Sequence, residues 1–236
     1  MTAQQGPNRP TTILFDWDNT LVDTWGVIHA ALNTTLAALG RPAWTFEETR
    51  ARVRRSAREA FPDWFGNEAE RAATVFYAAF EAEHLDKLTP RPGAAALLAD
   101  LRVAGYDLAV VSNKQGAYLR AEAARLGWQD HFRRLVGAGD AVQDKPARAA
   151  VDLALADLPV AENGNGDVWL IGDTDIDLVC AHNAGCHPVL LRAEPPEPGE
   201  FAEAPPALHV ADCAALAGLL APKAKGFSPS CLDPRD

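Results

Sequence analysis

Cysteine is scarce and unpatterned in this 236-residue chain: Cys180, Cys186, Cys213 and Cys231 have no paired zinc-type spacing, and Cys180 and Cys186 fall on different faces of a helical stretch. Free thiols are therefore expected, which argues against a disulfide framework or a structural zinc site. Basic charge is also short. Lys and Arg number 22 against 32 Asp and Glu, for a net charge of −10, which argues against nucleic acid or an anionic membrane as a partner. No apolar run approaches the roughly 18 residues that a membrane helix needs. Met1 to Pro10 is polar, carries two prolines and lacks a signal-like apolar stretch, so a cytoplasmic protein is expected. No internal repeat is evident. What the chain does have is 48% apolar residues, ample for one large domain or for a core with a smaller insert.

The apolar run Thr12-Ile13-Leu14-Phe15 ends in Asp16 and Asp18, followed by Asn19, Thr20 and the pair Leu21-Val22. Carboxylates at i and i+2 of an extended segment point to the same side and can converge on one small object. Like charges that close repel unless a cation lies between them or one is protonated. The pair thus suggests a metal site or an acid/base pair, against the plainer reading of a solvated turn. Two more strand-type runs end in polar clusters: Asp107 to Val111 runs into Ser112-Asn113-Lys114, and Val168 to Ile171 runs into Gly172-Asp173-Thr174-Asp175-Ile176-Asp177. Each is followed by helical sequence. Apolar strands alternating with helices predict an α/β fold, a doubly wound parallel sheet, whose ligands bind outside the carboxyl ends of the strands at a switch point. Asp144-Lys145-Pro146 opens a further helical stretch, Ala147 to Asp157. Plainer roles are open to these residues too: Ser112-Asn113 as a helix cap, Lys145 as a surface lysine before an N1 proline, and Asp175 as a solvated first-turn acid. Lys114 and His182 read as supporting or surface groups.

With these residues in order, Asp16-Trp17-Asp18-Asn19-Thr20, Val111-Ser112-Asn113-Lys114, Lys145-Pro146, and Gly172-Asp173 with Asp177, the chain resembles the haloacid dehalogenase superfamily, in its phosphoglycolate phosphatase-like branch. The likeness runs from about Thr12 to about Leu191. Asn19 stands where many relatives carry glycine, and Asn tolerates positive φ better than most residues. The resemblance implies a Mg²⁺-dependent phosphatase in which Asp16 and Asp173 give carboxylate ligands, Asp18 gives its backbone carbonyl and Asp177 supports the metal. Asp16 would attack phosphorus to form an aspartyl phosphate, while Asp18 protonates the leaving oxygen and then activates water. Ser112 Oγ, the Asn113 N–H and Lys145 would clamp the phosphoryl oxygens. Such a site suits phosphate monoesters, whose hydrolysis needs accelerations reaching about 10²¹-fold, achieved by positioning and by neutralising spread-out charge. The implied partner is a small phosphorylated metabolite, with the chain a monomer or homodimer. Alternatives are a phosphosugar mutase of the same fold, a dehalogenase, which needs no metal and would not require Asp18, Asp173 and Lys145 together, and a non-catalytic phosphate-sensing module, which would be much shorter and lack an insert.

Residues 1–23 and 89–221 are expected to form the core, with 24–88 as a small α-helical insert after the first strand. Its first helix, about Thr24 to Leu39, repeats Ile28, Leu32 and Leu36 and stops at Gly40. A second begins at the capping-box pattern Thr45-Phe46-Glu47-Glu48 and ends near Pro62; a third begins at Asn67. In the family this position holds a type-one cap that closes over the site and excludes water. Arg50, Arg52, Arg54, Arg55 and Arg58 cannot all face one way, but a small anionic substrate would need a cation there, and Arg54 or Arg55 beside Ser56 is the candidate. Toward the end, a proline-rich loop from Glu194 precedes a short strand at Leu208-His209-Val210 and a helix from about Cys213 to Leu220. Residues 222–236 show no apolar periodicity and are expected to form a flexible tail.

Overall fold

A computed structural model describes residues 9–158 and 165–221; the expected tail, 222–236, lies outside them. Strand β1 (Thr12–Phe15) is buried at every position. It is followed by β2 (Val22–Asp23) and four insert helices, α1 (Trp25–Ala38), α2 (Phe46–Arg52), α3 (Ala57–Phe65) and α4 (Ala69–Glu81). The chain returns through β3 (Thr89–Pro90), α5 (Ala94–Val103), β4 (Asp107–Gln115), α6 (Gly116–Leu126), β5 (Arg134–Ala138) and α7 (Ala149–Leu155). It finishes with β6 (Val168–Gly172), α8 (Asp175–Ala184), β7 (His187–Leu191), β8 (Leu208–Val210) and α9 (Cys213–Leu220).

The six long-range strands form one parallel sheet in the order β5-β4-β1-β6-β7-β8. Side chains of a strand alternate between faces. Ile13 and Phe15 accordingly join Leu97, Leu98 and Leu101 of α5, Leu119 of α6 and Leu216 of α9 on one side. Leu14 joins Val151 of α7 and Cys180 and Ala181 of α8 on the other. Both faces of the sheet are covered, the doubly wound arrangement that continuous apolar strands require. The chain steps from β1 outward to β4 and β5, then crosses back to β6 on the opposite side of β1. The carboxyl ends of β1, β4 and β6 therefore meet at the switch point.

The insert has an apolar cluster of its own, in which Val27, Ala31 and Leu36 of α1 pack with Phe65 of α3 and Ala72 of α4. Its two connections to the core run antiparallel, with Val22 opposite Pro90 and Asp23 opposite Thr89.

Several boundaries differ from those expected. The stretch that begins at Thr45 is two helices. Thr45 and Glu48 do form a full capping box, but the chain becomes extended at Val53, and α3 restarts at Ala57 with Pro62 inside it. A proline in a helix costs one hydrogen bond, which a nine-residue helix tolerates, so Pro62 is no terminator here. The break lets the insert reach the core: Ser56 Oγ donates to Asp144 Oδ2 at 2.6 Å, and Arg58 Nη2 donates to Asp144 Oδ1 at 2.7 Å. Strand β4 continues through Ser112 and Lys114 to Gln115, so Ser112-Asn113 is strand and not a helix cap. The helix expected from Ala147 begins at Ala149 and ends at Leu155. Strand β5 was not anticipated, because Arg134-Leu135-Val136-Gly137-Ala138 holds only a short apolar run.

Leu14 is fully buried in the middle strand. Its replacement by alanine should cost about 2–5 kcal/mol, read from the denaturant midpoint at unchanged slope. A loss below about 1 kcal/mol would show that the sheet's second face is looser than its packing indicates.

Candidate active site

Register places the polar clusters level with one another. Phe15 pairs with Val110 on one side and Ile171 on the other, so Asp16 and Asp18 leave β1 beside Ser112 and Asp173. The Asp16 N–H is held by the Ile171 carbonyl at 2.8 Å. The turn that follows contains Asn19, the one non-glycine residue with positive φ among those described (64°), and the Asn19 side-chain oxygen accepts from the Thr24 N–H at 3.2 Å. That self-bonded turn is why asparagine serves where glycine is common.

Lys145 is the centre of the rim. Its Nζ, in a side chain 2% exposed, lies 2.6 Å from Asp16 Oδ1 and 2.6 Å from Asp177 Oδ1. Asp177 is fixed from below, since its Oδ2 accepts from the Thr174 N–H at 3.1 Å and the Thr174 hydroxyl at 3.0 Å in a capping box at the start of α8. Only glycine fits at 172, because a Cβ there would run into the Asp177 carboxylate. Thr20 Oγ1 bridges Asp16 Oδ2 (3.2 Å) and Asp173 Oδ1 (3.3 Å).

The electrostatic balance of this cluster is unfavourable as it stands. Burial raises the Asp16 carboxyl to about 7, with Lys145 opposing and Asp177 and Asp18 adding repulsion. Burial likewise holds Asp173 well above the usual carboxylate range, reinforced by Asp177 and Asp16. Burial alone would lower the Lys145 ammonium, but Asp16 and Asp177 outweigh it and hold its pKa above the ordinary value. One lysine thus faces three carboxylates. Asp16, Asp173 and Asp177 can bring one oxygen each within 4.8 Å of one another. An all-oxygen, acidic donor set of this kind fits a hard divalent cation such as Mg²⁺, whose charge would let every carboxylate stay ionised. The Asp18 carboxylate is not part of that group. It accepts instead from Thr24 Oγ1 at 2.7 Å and pairs with Lys114 Nζ at 2.6 Å. The Asp18 side chain is thus held apart from the Asp16, Asp173 and Asp177 oxygens.

Lys114 belongs to a buried network that sequence reasoning passed over. Its Nζ also donates to Glu122 Oε2 at 2.6 Å, which accepts from Trp17 Nε1 at 2.7 Å, while Glu122 Oε1 pairs with His84 Nδ1 at 2.9 Å. The Lys114 and Glu122 side chains are 2% and 0% exposed. The available signal was Glu122 itself, an acid on the apolar stripe of α6 beside Leu119 and Ala123. Cys180 and Cys186 offer no competing nucleophile, because burial pushes both thiols up to about 12.

Between the rim and the insert lies a cavity of about 140 Å³. Its floor includes Asp16, Asp18, Ser112, Asn113, Lys145 and Asp173. Arg54 and Arg55 also line it, but Ser56 does not and is turned onto Asp144. Arg54 pairs with Asp175 of α8 at 3.3 Å, and Arg55 with Asp63 at 2.6 Å.

A family model described as haloacid dehalogenase-like hydrolase matches residues 13–191. The chain belongs to this family. It is similar to the phosphoglycolate phosphatase of Caulobacter vibrioides, 34% identical over 191 residues that cover 76% of this chain and 78% of that protein. It is also similar to the phosphoglycolate phosphatase of Pseudomonas syringae pv. tomato, 28% identical over 236 residues, with 95% and 80% covered. A haloacid dehalogenase-like family hydrolase from Streptococcus pneumoniae superposes with a TM-score of 0.77 over 89% of this chain and 98% of that one, at 21% identity, which shows the shared fold. With this family and these relatives, the chain is a phosphatase of the haloacid dehalogenase-like type.

Glu122→Leu should destabilise the protein by about 3–5 kcal/mol, since it leaves buried Lys114 with Asp18 alone and leaves buried His84 and the Trp17 N–H without their carboxylate partner. Glu122→Gln should cost less, about 1–3 kcal/mol. Denaturant unfolding of both variants checks the order. Losses within about 0.5 kcal/mol would mean the network carries no stability.

Proposed function

We propose that this phosphatase is magnesium-dependent and hydrolyses a small phosphorylated metabolite through an aspartyl phosphate on Asp16. The observation that carries this reading is the placement of Asp16 between Lys145 and Thr20, level with Ser112 and Asp173 and apart from Asp18. The Asp16 carboxylate attacks phosphorus in line with the departing alcohol oxygen. Asp18 gives that oxygen its proton and then takes one from water, which attacks the aspartyl phosphate and releases phosphate. Lys114 holds the Asp18 carboxylate from the far side. Ser112 Oγ, the Asn113 N–H and the Lys145 ammonium hold the phosphoryl oxygens. Asp16, Asp173 and the Asp18 carbonyl would hold Mg²⁺ with Asp177 in support, and the ion would neutralise charge on the phosphoryl oxygens.

The helical insert, residues 24–88, acts as a cap that excludes water from the aspartyl phosphate, with β2 and β3 as its hinge. The contacts of Arg58 and Ser56 with Asp144, next to Lys145, support that role. One chain supplies every residue of the mechanism, so a monomer suffices and a homodimer is not required. Among the described residues no helix is long and apolar enough to cross a membrane. Phosphoglycolate, which names the curated relatives, is the reference substrate for assay.

Asp16→Asn should lower phosphate release by about 10³-fold or more with the unfolding transition retained, because the amide is isosteric but a poor nucleophile. Residual activity of more than a few per cent would contradict covalent catalysis by Asp16. Separately, a chelator should abolish turnover, Mg²⁺ restore it and Ca²⁺, with its larger and looser shell, inhibit it. Full activity in excess chelator would remove the metal from the mechanism.

A further inference from the structure

The Asp18 carboxylate is anchored by one of its two oxygens. Oδ1 accepts from Thr24 Oγ1 at 2.7 Å and lies 2.6 Å from Lys114 Nζ. Among the described residues no group donates to Oδ2, and Asp18 lines the cavity floor. The direction in which Oδ2 points therefore depends on how firmly the two partners of Oδ1 are themselves held. Thr24 is short and stiff. Lys114 is a point charge on a flexible stem, so it can orient Asp18 only where its own ammonium is fixed.

Glu122 of α6 does that fixing. Its Oε2 accepts from Lys114 Nζ at 2.6 Å and from Trp17 Nε1 at 2.7 Å, Trp17 being the residue between Asp16 and Asp18, and its Oε1 faces His84 Nδ1 at 2.9 Å. The Phe80 ring faces the same ammonium, 5.3 Å from Nζ. Glu122 and His84 are buried, and neither lines the cavity. Stability does not account for the set, since apolar side chains of similar volume would fill the space without desolvating a lysine and a glutamate. What the set does is aim Lys114. The insert contributes at three points: Thr24 at the start of α1, Phe80 in α4 and His84 just after it.

We infer that Glu122 and His84 are positioning residues for proton transfer at Asp18: through Lys114 they hold its carboxylate by Oδ1 and leave Oδ2 to give up and take back the proton. This rests on the mechanism proposed above and assigns its acid/base step to one oxygen. In the first transfer the alcohol oxygen leaves phosphorus with its bonding pair and takes the Oδ2 proton. In the second, water gives a proton to Oδ2 as its oxygen bonds to phosphorus and the bond to Asp16 breaks. Both proton transfers need Oδ2 aimed at the reacting oxygen, whereas the attack of Asp16 on phosphorus does not.

Two esters of like shape separate aim from mere structure. Phenolate is a far stronger base than p-nitrophenolate, so phenyl phosphate needs the proton from Asp18 to release its alcohol and p-nitrophenyl phosphate does not. In the full-length Mg²⁺-supplemented protein, Glu122→Gln keeps the shape and removes the charge that holds Lys114; it should lower kcat/KM for phenyl phosphate about 10-fold more than for p-nitrophenyl phosphate. His84→Phe keeps a ring against Phe80 and Tyr118 but loses the bond to Glu122, and should shift the ratio the same way to a smaller extent. Leu216→Ala, a buried site in α9 away from the cavity, should lower the unfolding midpoint and leave the ratio where it is in the wild type. Equal losses on the two esters in Glu122→Gln, an unchanged ratio, or a shift as large in Leu216→Ala overturns the inference. Failure of the phosphatase reading has its own signature, no phosphate release by the wild-type protein from any ester, and the inference falls with it.

Discussion

Crowding of like charge at the switch point is the constraint on which the rest of the structure depends. Three carboxylates, Asp16, Asp173 and Asp177, converge on a rim where water is largely excluded. Left alone they would push one another toward the protonated state. Lys145, reaching between Asp16 and Asp177, offsets part of that repulsion, and Thr174 and Thr20 supply the hydrogen bonds that fix the oxygens. The remainder is what a divalent cation would neutralise, and under the proposed mechanism that neutralisation is what would admit an anionic phosphoryl group. The Asp18 carboxylate lies aside on Lys114, and the buried Lys114–Glu122–His84 chain runs from Asp18 to the return segment of the insert.

The insert answers a different requirement. A phosphoryl-transfer site must shed water without losing its substrate, and under the proposed function a separate helical layer over the rim would serve as the lid. Asp144 is one place where the two layers are joined. Its buried carboxylate accepts from Ser56 and Arg58 of the insert and from the Gly139 N–H of the core, and it sits one residue before Lys145. The position of the insert and the position of Lys145 are therefore linked through Asp144.

Much of this was legible in the chain. Thr12–Phe15 announced a buried strand because it is apolar on both faces, and the acids directly after it could only emerge at the carboxyl end of a parallel sheet. The order of Asp16, Ser112, Lys145 and Asp173 along the chain was enough to bring them to one rim once the crossovers were assumed. Boundaries were less legible where tertiary contacts overrule local preference. Pro62 read as a stop but lies inside α3, Val53 read as helix but opens out so that Ser56 can reach Asp144, and β5 has too few apolar residues to stand out without its neighbour β4. Lys114 read as a supporting or surface group, and its burial was not legible because its partners, Asp18 and Glu122, lie on other elements, after β1 and in α6. The arginines of the insert were visible as a group, but their pairing with Asp175 and Asp63 depends on how the helices are set, which no spacing reveals.

The central claim is that Asp16 carries the phosphoryl group between its two transfers. Its most direct test is borohydride reduction of enzyme quenched during turnover, followed by mass spectrometry of the peptide containing residues 12–20. An acyl phosphate at Asp16 is reduced to the alcohol and should appear as a mass change on that residue alone, absent from enzyme quenched without substrate. Turnover with no reducible adduct at Asp16, or an adduct on another residue, would contradict the account.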